Sequence, residues 1–277
     1  MIKYGPHPII INGSYHDEDE RVVDEMVARK FPKFMATEWN RRSAWANRHD
    51  FTVDTRPRAK AFEARVLGLL NAISNTKVGR AVLTCMPKDV PVWIVPYDRL
   101  NQRVFAKLAA VTALKNVNRE EEGVQIMYSP EMWCSTSCGG RAGYRADETL
   151  FHELVHAYRQ AAVGVAGMKT TPVNLNANYE EFFAFQLETM FASENGQTVL
   201  RLHYETSDTG SQDDLETFLH YSADALAALE YFVRFDRLAS ATLQLKTSTY
   251  NPFRDLDRLK QKYAPAVKQP PPAKRRR

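Results

Sequence analysis

Three cysteines in 277 residues are too few to make a disulfide framework, and their odd number leaves at least one thiol unpaired. Cys85, Cys134 and Cys138 therefore read as reduced thiols of a protein that folds in a reducing compartment. Long apolar runs are absent as well. None approaches the roughly 20 residues a membrane-spanning helix needs, so no membrane span is expected. Residues 1–8 lack the charged-then-apolar layout of a secretory signal, which argues against Sec export. Glycine (12) and proline (14) are too sparse for a collagen-like or low-complexity chain, and no internal repeat is visible.

Excess positive charge is lacking outside one end. The net charge is +4, but Lys268, Lys274, Arg275, Arg276 and Arg277 fall in the last ten residues, so the rest of the chain is nearly neutral. Nucleic-acid binding by the folded body is not expected; the basic signal belongs to the tail. Residues 263–277 are rich in proline and basic side chains, cannot form a packed element, and read as disordered. Lys274 to Arg277 fit a nuclear import factor or a phosphate contact, and equally a merely solubilising end.

What is present is 44% hydrophobic residues in patterned segments, enough to bury a substantial core. Ile9, Ile10 and Ile11, closed by Asn12 and Gly13, read as a strand and turn. Residues 20–29 read as an amphipathic helix, and residues 58–74 as a half-buried one with Pro57 at its start. Residues 90–95 and 123–128 read as buried strands. Helices are expected over residues 147–162 and 177–193, and helical spacing recurs over 213–238. The order gives an α+β domain with a small sheet and a mostly helical C-terminal lobe. The divisions expected are an N-terminal segment 1–55 for export or docking, a catalytic domain 56–262 and the tail.

The sharpest pattern is His152-Glu153-Leu154-Val155-His156 inside the helix of residues 147–162. Histidines four apart lie on one helix face, so both imidazoles can reach one metal ion. Glu153 is rotated by about 100° on the same turn and stands beside such an ion. Imidazole suits zinc, zinc lowers the pKa of its water to about 7, and a neighbouring carboxylate can take that water's proton. A catalytic zinc needs a third protein ligand. His203 and His220 do not follow in the tight spacing of a third histidine. The next helix instead begins Asn178-Tyr179-Glu180-Glu181-Phe182-Phe183-Ala184, with 24 residues between His156 and Glu181. Glu181 shares an apolar stripe with Ala184, Phe185 and Glu188 that should face the first helix. It is the favoured ligand, with Glu180 as the alternative, turned towards solvent or a supporting role. Glu188 sits where it could orient one of the histidines through a ring N–H.

His152 to Arg159, the Glu180–Glu181 pair with Phe182-Phe183-Ala184, and Ser193-Glu194-Asn195 resemble the NleD-like effector zinc metalloproteases, bacterial proteins injected into host cells. The start of the motif and the double Glu also resemble the light chains of botulinum-type neurotoxins. The likeness spans residues 123–201. It implies a zincin-like metalloprotease domain, with His152, His156 and Glu181 as zinc ligands and Glu153 as the base. It also implies that the strand over 123–128 pairs with an extended protein substrate. The resemblance implies synthesis in the bacterial cytoplasm and delivery into a target cell, with the nucleus as one destination; separately, a monomer is expected. Thr189 stands where Asn is expected, so substrate identity does not carry over.

A developing oxyanion needs a second electrophile, and Arg201, His203 and Tyr204 are the candidates, Arg201 and Tyr204 foremost. Their alternative is a solvated surface cluster. Tyr158 and Arg159 read as packing or pairing at a helix end. Cys134 and Cys138 form half a zinc knuckle without a second pair and read as loop thiols. Trp93, Trp133, Phe182, Phe183 and Phe185 read as core. Two other functions suit the same residues: an intracellular regulatory peptidase that cleaves a repressor, and a catalytically silent zinc-containing binding module. An intact Glu153 speaks against the second.

Overall fold

The computed structural model describes residues 1–13, 56–96, 110–113, 123–128, 130, 145–164, 167–173, 176, 178–201, 209–220, 222–245 and 250–261. The expected helix over 20–29, Trp133, Cys134, Cys138, His203, Tyr204 and the tail lie outside them. Within them the fold is α+β around a small mixed sheet.

Strands β1 (Ile2–Lys3), β2 (Ile9–Ile11), β3 (Val92–Pro96), β4 (Ala110–Ala113) and β5 (Val124–Tyr128) form the sheet in the order β1-β2-β3-β5-β4. The three inner strands β2, β3 and β5 are mutually parallel, and β1 and β4 pair antiparallel on the outside. Parallel strands are covered on both faces, which is why β2 and β3 are near-continuous Ile and Val runs. Ile9, Ile11, Val92, Ile94, Val95 and Ile126 are fully buried, whereas Trp93 is only half-buried. The N-terminal segment, expected to serve export or docking, joins the main sheet at its start. Its first eleven residues contribute two strands of the main sheet, because Ile9 and Ile11 have a core to enter.

Helix α1 (Arg56–Asn75) buries Phe62, Val66, Leu70 and Ile73 at helical spacing. Helix α2 (Lys77–Cys85) follows after one residue, Thr76, whose hydroxyl accepts from the Gly79 amide at 3.0 Å. Gly79 lies so close to α1 that a Cβ there would sit 1.9 Å from the Ile73 carbonyl oxygen, so the tight α1–α2 corner requires glycine. The sequence pattern missed α2, a nine-residue helix directly abutting α1.

Helix α3 (Ala146–Val163) carries the histidine motif and packs against β5 and β4. Asp147 and Glu148 lie in its first turn, where the helix dipole favours anions. The Tyr128 hydroxyl donates to the Ala146 carbonyl at 2.6 Å and ties the end of β5 to the start of α3. Gly164 ends the helix with φ 66°, a conformation that favours glycine. Helix α4 (Tyr179–Glu194) packs alongside α3 and is capped by Asn178, whose side chain accepts from the Glu181 amide at 2.9 Å. Phe182, Phe183, Phe185 and Phe191 of α4 are all buried. Each fully buried phenylalanine contributes about 1.5–3 kcal/mol, against at most about 0.7 kcal/mol per residue from helix propensity, so packing decides that α4 forms.

A short pair of strands, β6 (Leu200–Arg201) and β7 (Thr209–Gly210), leads to helices α5 (Gln212–His220), α6 (Ala223–Phe235), α7 (Arg237–Thr242) and α8 (Leu256–Gln261). The helical spacing over 213–238 is thus three helices. Ser222 caps α6 and Asp236 caps α7, and each cap breaks the run. Phe232 of α6 stacks on Phe183 of α4 with ring centres 4.2 Å apart, joining the lobe to the metal-motif helices. Among the described residues no helix is long and apolar enough to cross a membrane.

Candidate metal centre

His152 and His156 project from consecutive turns of α3 and are 3% and 7% exposed. Their Nε2 atoms face each other at 3.0 Å. From α4, Glu181 Oε2 stands 3.4 Å from each of them. His152 Nδ1 donates to Glu188 Oε2 at 2.8 Å, which leaves Nε2 pointing into the triangle, where a metal ion would take the place of a proton. Three electron-pair donors thus converge on one point, and Glu181 Oε2 is buried there without a hydrogen bond. Tetrahedral zinc with bonds of about 2.0–2.1 Å holds its ligand atoms about 3.4 Å apart; the two edges to Glu181 match that spacing and the His152–His156 edge, at 3.0 Å, is shorter, so the group could hold a metal ion.

The electrostatics point the same way. Burial would lower the His152 pKa, but the carboxylates of Glu181 and Glu188 outweigh it and lift the value to about 10. Burial would raise Glu181, yet the two histidines hold its carboxyl well below the usual range. Glu188 is likewise lowered despite its burial, by the charge of Arg201 and by His152. An environment that favours positive charge this strongly stabilises a cation among these groups. Glu153, 7% exposed, lies on the same turn as His152.

The two glutamates of the pair have separate tasks. Glu181 points to the histidines; Glu180 does not turn to solvent but is 3% exposed and forks onto Arg159, with Nε to Oε2 at 2.7 Å and Nη2 to Oε1 at 3.0 Å. Arg159 also donates from Nη1 to Asp236 Oδ2 at 2.6 Å, so it pairs with two carboxylates rather than with a helix end alone. Its guanidinium lies over the rings of Phe183 and Phe232. Nothing in sequence links Arg159 to Asp236, which caps a helix 77 residues away.

Arg201 on β6 approaches Glu188 Oε1 with Nη1 at 3.5 Å and lies over the Phe185 ring. It thus stands behind the His152–Glu188 hydrogen bond. Tyr204 and His203 lie outside the described residues, and so does the side chain of His220. The two carboxylate oxygens of Glu194 accept from the Lys77 and Val78 amides at 2.7 and 2.9 Å and cap α2.

One expectation is corrected. β5, residues 124–128, does not offer an edge to an extended chain, because β3 occupies one side and β4 the other. The outer strand next to it is β4, an element without a sequence signature strong enough to predict. No family model, curated protein or solved structure matches the chain.

Proposed function

We propose that the chain is a zinc-dependent endopeptidase of zincin-like fold that hydrolyses a peptide bond in a protein substrate. The observation that carries this reading is the convergence of His152 Nε2, His156 Nε2 and Glu181 Oε2, with Glu153 on the same turn of α3. These three side chains would hold the ion. Bound zinc supplies Lewis acidity for the scissile carbonyl and lowers the pKa of water at the site to about 7. Glu153 takes the proton of the attacking water and returns it to the leaving amine nitrogen. Glu188 fixes the tautomer and tilt of His152, and Arg201 holds Glu188. Tyr204 is the donor proposed for the developing oxyanion, while Arg201, expected to share that role, has its Nη1 3.5 Å from Glu188 Oε1. β4, packed against α3 and paired on one side by β5, is the strand an extended substrate would join.

The reading as an effector or toxin delivered into a target cell rests on the resemblance of residues 152–159 and 180–184 to the NleD-like proteases. The test of the chemistry is hydrolysis of a protein-derived peptide library by wild type and by Glu153→Gln. Cleavage by wild type that falls about 10²–10⁴-fold in the variant, with zinc retained, is the expected result. Equal cleavage by both would contradict the role of Glu153.

A further inference from the structure

We propose that the Arg159–Glu180 fork is a positioning device that sets the third metal ligand, an inference that rests on the zinc reading above. Glu181 is the third residue of α4, and its side chain remains 25% exposed. The first turn of a helix is its weakest part, since its amides lack partners within the helix. A ligand placed there is held only as well as that turn is held. Asn178 caps the turn through the Glu181 amide, but a cap fixes the local backbone, not its distance from α3.

The distance is fixed by the neighbouring residue. Glu180, immediately before Glu181, is gripped at both oxygens by Arg159, which lies three residues beyond His156 on α3. The same two helices are therefore joined by two adjacent rungs, the metal triangle and the ionic fork. A bidentate guanidinium–carboxylate pair is directional, so it sets the register as well as the separation of the two helices. A third contact, the Lys169 amide donating to Glu180 Oε1 at 3.1 Å, pins the segment between α3 and α4 to the same carboxylate. All three side chains of the network, Arg159, Glu180 and Asp236, are 2–3% exposed, so water does not loosen it. The first glutamate of the pair is thus the positioning residue for the second.

The test is zinc affinity by chelator competition, together with the melting temperature of the metal-free protein, for wild type and Glu180→Gln. Glu216→Gln is the control, because Glu216 is also a buried carboxylate forked by an arginine, Arg258, away from the histidines. Glu180→Gln is expected to lose about 10–100-fold in zinc affinity. Glu216→Gln is expected to melt lower and bind zinc as wild type does. Arg159→Lys, which keeps the charge but not the fork, is expected to lose affinity by a smaller factor, and it decides the matter if Glu180→Gln does not fold. Wild-type affinity in a folded Glu180→Gln, or an equal loss in the Glu216 control, overturns the inference while leaving the zinc site intact. A wild type that binds no zinc overturns the site itself.

Discussion

His152 Nδ1 lies 2.8 Å from Glu188 Oε2, although the residues are 36 positions apart and belong to different helices. The contact decides which ring nitrogen of His152 is free. With the proton fixed on Nδ1, the Nε2 lone pair is committed to the triangle with His156 and Glu181. Glu188→Ala is therefore expected to lower zinc affinity about 10–100-fold, and Glu188→Gln, whose carbonyl oxygen can still accept, by less. Chelator competition reads both. Equal affinity in Glu188→Ala and wild type would show that the hydrogen bond does not orient the ligand.

The three cysteines give a second check. Burial pushes the Cys85 thiol pKa up; Arg237 opposes this and Asp236 adds to it. A thiol of raised pKa with little exposure is a poor nucleophile. In a Cys134→Ser, Cys138→Ser variant, where Cys85 is the remaining thiol, alkylation at neutral pH is expected to be negligible until denaturant is added. Rapid labelling of the native variant would contradict the packing of α2 against the core.

The acid limb of stability gives a third. Burial would raise the Asp255 pKa, but hydrogen bonds and charge from Arg254, then Arg258, lower it below the ordinary value. A depressed carboxylate contributes stability that is fully present above the unfolded-state pKa of about 3.9 and is lost as pH falls through the folded one. Asp255→Asn is expected to melt lower than wild type above about pH 5, with the gap closing as the solution is acidified. A constant gap across that range would contradict the pairing.

Much of this arrangement is legible in the sequence, for identifiable reasons. The motif residues are four apart, so one helix suffices to bring His152 and His156 together. Glu181 and Glu188 share a stripe with apolar neighbours, and that stripe faces α3 as the pattern requires. The choice between Glu180 and Glu181 needed the fold, because it depends on Arg159 already occupying Glu180. The sheet edge could not be read either. β5 carries an obvious apolar run, whereas the four residues of β4, Ala110 to Ala113, mark nothing until their pairing with β5 is seen. Asp236 became visible only where three-dimensional packing set a helix cap against the Arg159 guanidinium.

The most direct test of the account is the metal content of purified wild type, Glu181→Ala and Glu153→Gln. One equivalent of zinc in wild type and in Glu153→Gln, with selective loss in Glu181→Ala, is the predicted result. Folded wild-type protein that binds no zinc, or Glu181→Ala that binds it as tightly, would contradict the centre described by His152, His156 and Glu181.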